Sequence, residues 1–307
     1  MIIANPIYDT VFKRLMENER VAKFFIGTLL EQNVVSLEIN PQEYTYKRSA
    51  PEDDEPGAHE RPIIVYSIFR VDFVATIRTE TGEQRKILIE VQKAWNQDDL
   101  MRFRTYLGEH YKRIDKVSGK EVILPITTIY ILDFKLPEIE SACIKVEREY
   151  QDMINHRPIT VKCAFVEKLT HDSYVVQARR ITSERYQTKL DMLLSIFEQA
   201  HFVGNTEMVK MYNHETDDEN VKEMTAILHH AGTDPEERKE LEIEQEAIRT
   251  LTASFGKKIK ALEEQEHVIK EQEHVIKEKD KALEEKDKEN AVLKRQLEEL
   301  QRQLHQK

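Results

Sequence analysis

The sequence predicts an α/β protein, a mixed sheet flanked by helices, followed by a long C-terminal coiled-coil helix. Three patterns carry this expectation. Apolar residues recur at helical spacing over 5–31, strand-like runs fill 63–92 and 122–134, and a strict heptad begins at Leu241. The order helix, strands, helix, strand, strand, helices is that of an α/β chain. With 307 residues there is room for one large domain or two small ones. The change of pattern divides the chain into a globular domain over 1–235 and a coiled coil over 236–307.

Each element has its own signal. Asn5-Pro6 opens a turn, and Val11, Phe12, Leu15, Met16, Phe24, Phe25, Leu29 and Leu30 then mark one helical face. Residues 34–47 alternate weakly, as a strand would. Residues 49–62 hold three prolines, a glycine and a run of acids, which reads as an exposed, solvated loop. Residues 63–78 and 85–92 are the clearest strands, joined by TETGEQ. Residues 97–113 read as an amphipathic helix, 122–134 as a buried strand and 160–167 as a further strand, with helices expected over 182–203 and 217–232.

The tail is a different regime. Leu241, Ile248, Phe255, Leu262, Ile269, Ile276, Leu283, Asn290, Leu297 and Leu304 are spaced by seven and form an a seam. The d seam is apolar only near its ends, so the middle is the weaker part. Asn290 at an a position favours a parallel dimer in fixed register. The tandem EQEHVIK at 264–270 and 271–277 is one heptad long and preserves the seam. His267 and His274, one heptad apart on a solvent-facing position, do not read as metal ligands. A homodimer through this tail is the expected assembly, the competing reading being a single solvated helix.

Composition excludes some classes. Net charge is −11, and residues 257–307 balance 13 basic against 13 acidic residues, so the excess acid lies upstream. This is not a polycation that coats nucleic acid, although one basic patch is compatible with it. Cys143 and Cys163 fit neither a metal spacing nor a disulfide framework and read as free thiols. The opening MIIANPIYDT lacks the basic and apolar regions of a signal peptide, and no apolar run reaches membrane-spanning length. A cytoplasmic location without a membrane is the expectation.

The hairpin holds the candidate site. A three-residue loop Glu80-Thr81-Gly82 puts glycine where a left-handed conformation is wanted. Thr79 then faces Glu83, Ala75 pairs with Ile87, Phe73 with Ile89 and Val71 with Val91. On the opposite face Val74 meets Leu88, and Asp72 meets Glu90. A slip of one residue would mix the faces. Two carboxylates set roughly 5 Å apart between apolar strands call for a neutralising charge. Mg²⁺ supplies one, because it takes a few carboxylate oxygens and keeps water. Gln92 shares the face of Glu90, whereas Lys93 points to the other face. Without a metal, the acids would meet water or the nearby Arg70 and Lys86.

Asp72, ILIEVQKA (87–94), RFRTYLGEHYKR (102–113) and TTIYILDF (127–134) together resemble the PD-(D/E)XK nuclease family transposases, also described as recombination-promoting nucleases. NPIYDTVFKRL (5–15) is similar to that family's opening helix, and the resemblance covers roughly residues 5–200. It implies a restriction-endonuclease-like core and a Mg²⁺-dependent DNA endonuclease acting in recombination or on mobile elements. It implies Asp72 and Glu90 as metal ligands, with Gln92 supporting them. Gln92 stands where the superfamily has lysine, which leaves open the group that assists the nucleophile. Asp9 and Lys13 are accessory candidates. Arg102, Arg104, Tyr106, Lys112 and Arg113 are candidate DNA contacts, against the plainer reading of a solvated basic face with tyrosine packed inward. A catalytically inactive nuclease fold that binds DNA or protein, and a coiled-coil scaffold with a recognition head, are the rival functions.

Overall fold

The computed structural model describes residues 1–39, 73–93, 97–117, 119–182, 184, 186–250 and 286. The chain divides into two units, Met1–Glu244 and Gln245–Lys307. Helix continues over 235–250. The heptads from 251 onward lie outside the described residues, apart from Lys286, and the expected coiled coil with them.

The first unit begins with strand β1 (Ile2–Ala4) and helices α1 (Asp9–Glu17) and α2 (Glu19–Leu30). One helical stretch over 5–31 was the expectation, and Asn18 divides it. Its backbone is extended, and its side-chain oxygen accepts the Val21 amide at 3.1 Å, capping α2. Both helices bury the apolar face read from the sequence, including Val11, Phe12 and Leu15 in α1 and Phe25, Ile26 and Leu29 in α2. Phe12 meets Phe25 edge to face with ring centres 5.9 Å apart. Glu31 ends α2 with φ of 53°.

Strands β2 (Val34–Ile39), β3 (Phe73–Thr79) and β4 (Gln84–Gln92) follow, then helix α3 (Gln97–Lys112). Strands β5 (Asp115–Val117) and β6 (Lys120–Val122) form a small hairpin, and β7 (Ile126–Leu132) returns to the main sheet. Next come β8 (Cys143–Val146), β9 (Tyr150–Asp152), β10 (Arg157–Ile159), helix α4 (Ala164–Leu169) and β11 (His171–Gln177). Helix α5 (Lys189–Phe197), strand β12 (Val209–Met211) and helix α6 (Glu219–Thr233) follow, ahead of the helix that begins at residue 235.

Among the described residues the main sheet is mixed and six-stranded, in the order β2-β3-β4-β7-β11-β8. β4, β7 and β11 run parallel, and the outer pairs β2–β3, β3–β4 and β11–β8 are antiparallel. The chain is therefore α/β, with helices flanking a mixed sheet. β7 is central, and its ITTIYIL is buried at every position except Tyr130. The strand expected over 160–167 is not there. That stretch runs into helix α4, and the second parallel neighbour of β7, after β4, is β11, whose first half is polar. The helix expected over 182–203 is confined to α5, where Thr188 and Asp191 form a capping box.

β1 pairs with β12, and α6 lies against that pair at close range. A β-carbon added to Gly232 would stand 2.8 Å from the Ala4 amide nitrogen. No described helix is long and apolar enough to cross a membrane.

Candidate functional site

The β3–β4 hairpin has the register read from the sequence. Phe73 pairs with Ile89, Val74 with Leu88 and Ala75 with Ile87. The turn closes through Gly82 N–H to Thr79 O (2.9 Å) and Thr79 N–H to Glu83 O (2.9 Å), and Gly82 has φ of 82°. Asp72 lies outside the described residues, as do Val71 and Arg70.

Glu90 and Gln92 sit near the C-terminal end of β4 and are 1% and 8% exposed. Parallel pairing sets Glu90 beside Tyr130 and Gln92 beside Leu132 on β7. The Glu90 face of β4 is covered by α3. Val74, Leu88, Tyr106 and Ile126 form one apolar cluster there, and Phe103 packs on the Tyr130 ring at 4.5 Å. Arg102 of α3 reaches back to Glu90, Nη2 to Oε1, at 3.1 Å. Burial pushes the Tyr130 phenol well above its ordinary pKa; the Thr128 hydroxyl opposes this and the Glu90 charge adds to it. Gln92 Nε2 is buried and has no hydrogen-bond acceptor among the described residues.

Lys86 lies two further pairs down the same face, almost fully buried, and its ammonium meets Asp115 of β5 at 2.5 Å. Buried charges of this kind are retained when paired. His110 of α3 is also buried here, and desolvation, with Lys86 adding, lowers its pKa to about 4.

The opposite face of β4 carries a second polar group. Lys93 lies over the Tyr8 ring at 3.3 Å and pairs with Glu244 at 3.2 Å. Glu244 also accepts the backbone amides of Asp9 (2.8 Å) and Thr10 (3.1 Å), holding the first turn of α1. Burial lowers the Lys93 pKa, against the pull of Glu244, Asp133 and Asp9. Asp133, next after β7, is pushed up to about 6 by burial, which Arg179 opposes from a 2.9 Å ion pair.

The sequence candidates therefore separate. Glu90, Gln92 and Arg102 come together between β4 and α3. Asp9 and Lys13 pair with each other at the start of α1, on the side to which Lys93 points. Arg104, Lys112 and Arg113 are on the surface of α3 and its end. Tyr106 is not a surface contact: at 6% exposure it belongs to the apolar cluster, the inward packing that its spacing also allowed. Arg102 is turned inward as well, because a buried carboxylate on the strand beneath it draws the guanidinium. Tyr130, Asp115 and Glu244 were not singled out in the sequence, and Lys86, expected as a counter-charge to the hairpin acids, pairs with Asp115 while Glu90 takes Arg102.

Among the described residues, no three His, Cys, Asp or Glu side chains converge as a metal cage. Mg²⁺ does not require one, since one or two carboxylates with water and substrate oxygens suffice. Glu90 would supply one carboxylate, and the Gln92 amide, without an acceptor among the described residues, would suit a water or phosphate oxygen beside it. A groove of about 1770 Å³ lies elsewhere, between α2, residues 140–143 and α5. It holds neither Glu90 nor Gln92. Comparison with protein-family models, with curated proteins and with solved structures finds no match to this chain.

Proposed function

We propose that the chain is a Mg²⁺-dependent DNA endonuclease with a restriction-endonuclease-like core, acting in recombination or on mobile elements. The observation that supports this best is the Glu90–Gln92 pair. A strand buried on both faces carries a carboxylate and, two residues on, an amide donor without an acceptor among the described residues. The hairpin register of the described pairs is the one from which the sequence pairs Asp72 with Glu90. The PD-(D/E)XK resemblance adds Asp72 as the second carboxylate.

In this reading Glu90 and Asp72 hold the cation, which when bound lowers the pKa of water and offsets charge on the scissile phosphate. Gln92 orients a water or a phosphate oxygen through its Nε2. Arg102 pairs with Glu90 and holds its carboxylate in place. Arg104, Lys112 and Arg113 hold the duplex backbone. Two such units joined by a coiled coil would make paired cuts.

The Arg102–Glu90 ion pair favours a second reading. Glu90 already has a counter-charge, and no lysine accompanies it on that face at position 92. A nuclease fold that binds DNA or protein without cutting fits both facts.

Nicking of a supercoiled plasmid in Mg²⁺, comparing wild type with Asp72→Ala and Glu90→Ala, tests both. Loss of nicking in both variants, with DNA binding retained, is the expected result. Nicking unchanged in both variants would sink the site. No nicking by any of the three, with binding intact, selects the second reading.

A further inference from the structure

Between β8 and β11 the chain makes an excursion that belongs to neither layer of the fold. Strands β9 and β10 form a hairpin, α4 follows, and no side chain from 149 to 170 is buried. Its apolar residues are nevertheless large. Met153, Ile154, Val161, Phe165 and Leu169 within it, and Val146 at the end of β8 beside it, are 55–88% exposed. Most of the core-type side chains this part of the chain possesses face outward.

The excursion is firmly placed at its base. Arg148 donates Nε to Asp172 Oδ1 (2.8 Å), Nη2 to Glu167 Oε2 (2.7 Å) and Nη1 to the Glu167 and Thr170 carbonyls (3.1 Å each). The Tyr150 hydroxyl donates to Glu167 Oε1, and Lys162 Nζ to the Arg148 carbonyl at 3.1 Å. These bonds tie hairpin to helix and present the two together. A two-stranded hairpin is marginal in water unless its apolar face is covered, and an apolar patch of this kind marks an interaction site.

We infer that this arm is a self-association surface, which docks on the same arm of a second copy of the chain. Two properties choose that occupant. Six large apolar side chains, each more than half exposed, offer an area comparable to the ~800 Å² that each partner gives to a standard interface. The charges are also self-compatible. Residues 145–169 carry five basic and four acidic groups in a chain of net charge −11, so two arms meet without the repulsion that the rest of the molecule would impose. A two-fold contact needs such a patch, one that complements itself. Docking is through side chains rather than by strand addition, because Pro158 at the centre of β10 has no N–H to offer a neighbouring strand.

Four full-length proteins test this in sedimentation velocity from about 1 to 100 µM: wild type, an arm variant (Ile154→Glu with Phe165→Glu), a tail variant (Ile269→Glu, Ile276→Glu and Leu297→Glu) and their combination. Both arm residues are exposed, so the arm variant is expected to melt at the wild-type temperature, and circular dichroism checks this. The tail variant is expected to remain self-associated, and adding the arm substitutions is expected to weaken that association at least 100-fold. A monomeric tail variant across the range overturns the proposal, as does a combined variant that associates as strongly as the tail variant. The first outcome would leave the arm to a partner other than this chain.

Discussion

Arg102 Nη2 stands 3.1 Å from Glu90 Oε1, and the carboxylate is 1% exposed while the arginine side chain is about a quarter exposed. The strand therefore buries a charge whose compensation comes from the helix packed above it. Arg102→Leu removes that compensation. Breaking a buried pair costs about 3–5 kcal/mol, and the partial exposure of Arg102 brings the expected loss to about 2–3 kcal/mol by the same reasoning. Urea denaturation measures it. If Glu90 takes Mg²⁺, added Mg²⁺ restores part of the loss and stabilises Arg102→Leu more than wild type; equal responses would count against the metal site.

Gly232→Ala carries a sign opposite to helix propensity. At an open helical position the change would stabilise by up to ~1 kcal/mol. Here the new β-carbon meets the Ala4 nitrogen at 2.8 Å and the Ile3 carbonyl carbon at 3.1 Å, both backbone atoms that cannot swing aside. A loss of about 1–3 kcal/mol is expected from overpacking, read as a fall in Tm.

Lys210 is buried on β12, and desolvation lowers its pKa to about 7. Between pH 7 and the ordinary lysine value, the unfolded chain holds a proton that the folded chain has released. Stability due to Lys210 therefore rises with pH across that window. Chemical denaturation at pH 7 and pH 9.5 is expected to show a higher midpoint at 9.5, and Lys210→Met is expected to flatten the difference.

Two groups oppose each other on the acid side. His110, lowered to about 4, loses stability as pH falls from 6.5 to 4, because the unfolded imidazole takes up a proton first. Asp133, raised to about 6, gains stability as pH falls from 6 toward 4, because the folded carboxyl takes up its proton first. Asp133→Asn removes the second contribution. Its Tm is expected to fall more steeply than the wild-type Tm between pH 6 and pH 4.

Glu244 accepts two amides of the first α1 turn, the Thr10 hydroxyl at 2.8 Å and the Lys93 ammonium. Glu244→Ala is expected to cost about 2 kcal/mol, the sum of a lost helix cap and a lost charged hydrogen bond. Amide hydrogen exchange at Asp9 and Thr10 is expected to speed up with it; unchanged exchange there would argue that the cap contributes nothing.

What could be read in advance follows the range of the interaction. The hairpin was legible because its determinants are local: Gly82 in a left-handed turn and an alternation that only one register satisfies. Helices α1 and α2 were legible from apolar spacing, and their break at Asn18 was a capping signal that the continuous period obscured. β11 was missed because its polar first half finds partners far away: His171 at Tyr111, Asp172 at Arg148 and Ser173 at Thr128. TVKCAFVE (160–167) alternates as a strand does, yet its second half begins helix α4. The site divides in the same way. Glu90 and Gln92 stood out in sequence, whereas the inward turn of Arg102 and the burial of Tyr106 depend on how α3 lies across β4.

The first α1 turn has consequences for where this chain tolerates being cut. Leu241, first residue of the heptad pattern, is 2% exposed and lines a recess with Val11 and Arg14, and Glu244 caps α1 from one helical turn further on. A truncation at residue 236, where composition changes, would remove both and leave a frayed N-terminal helix. Grafts or deletions guided by the repeat alone would take Leu241 and Glu244 out of the first unit, whereas those that begin after Glu244 leave both in place.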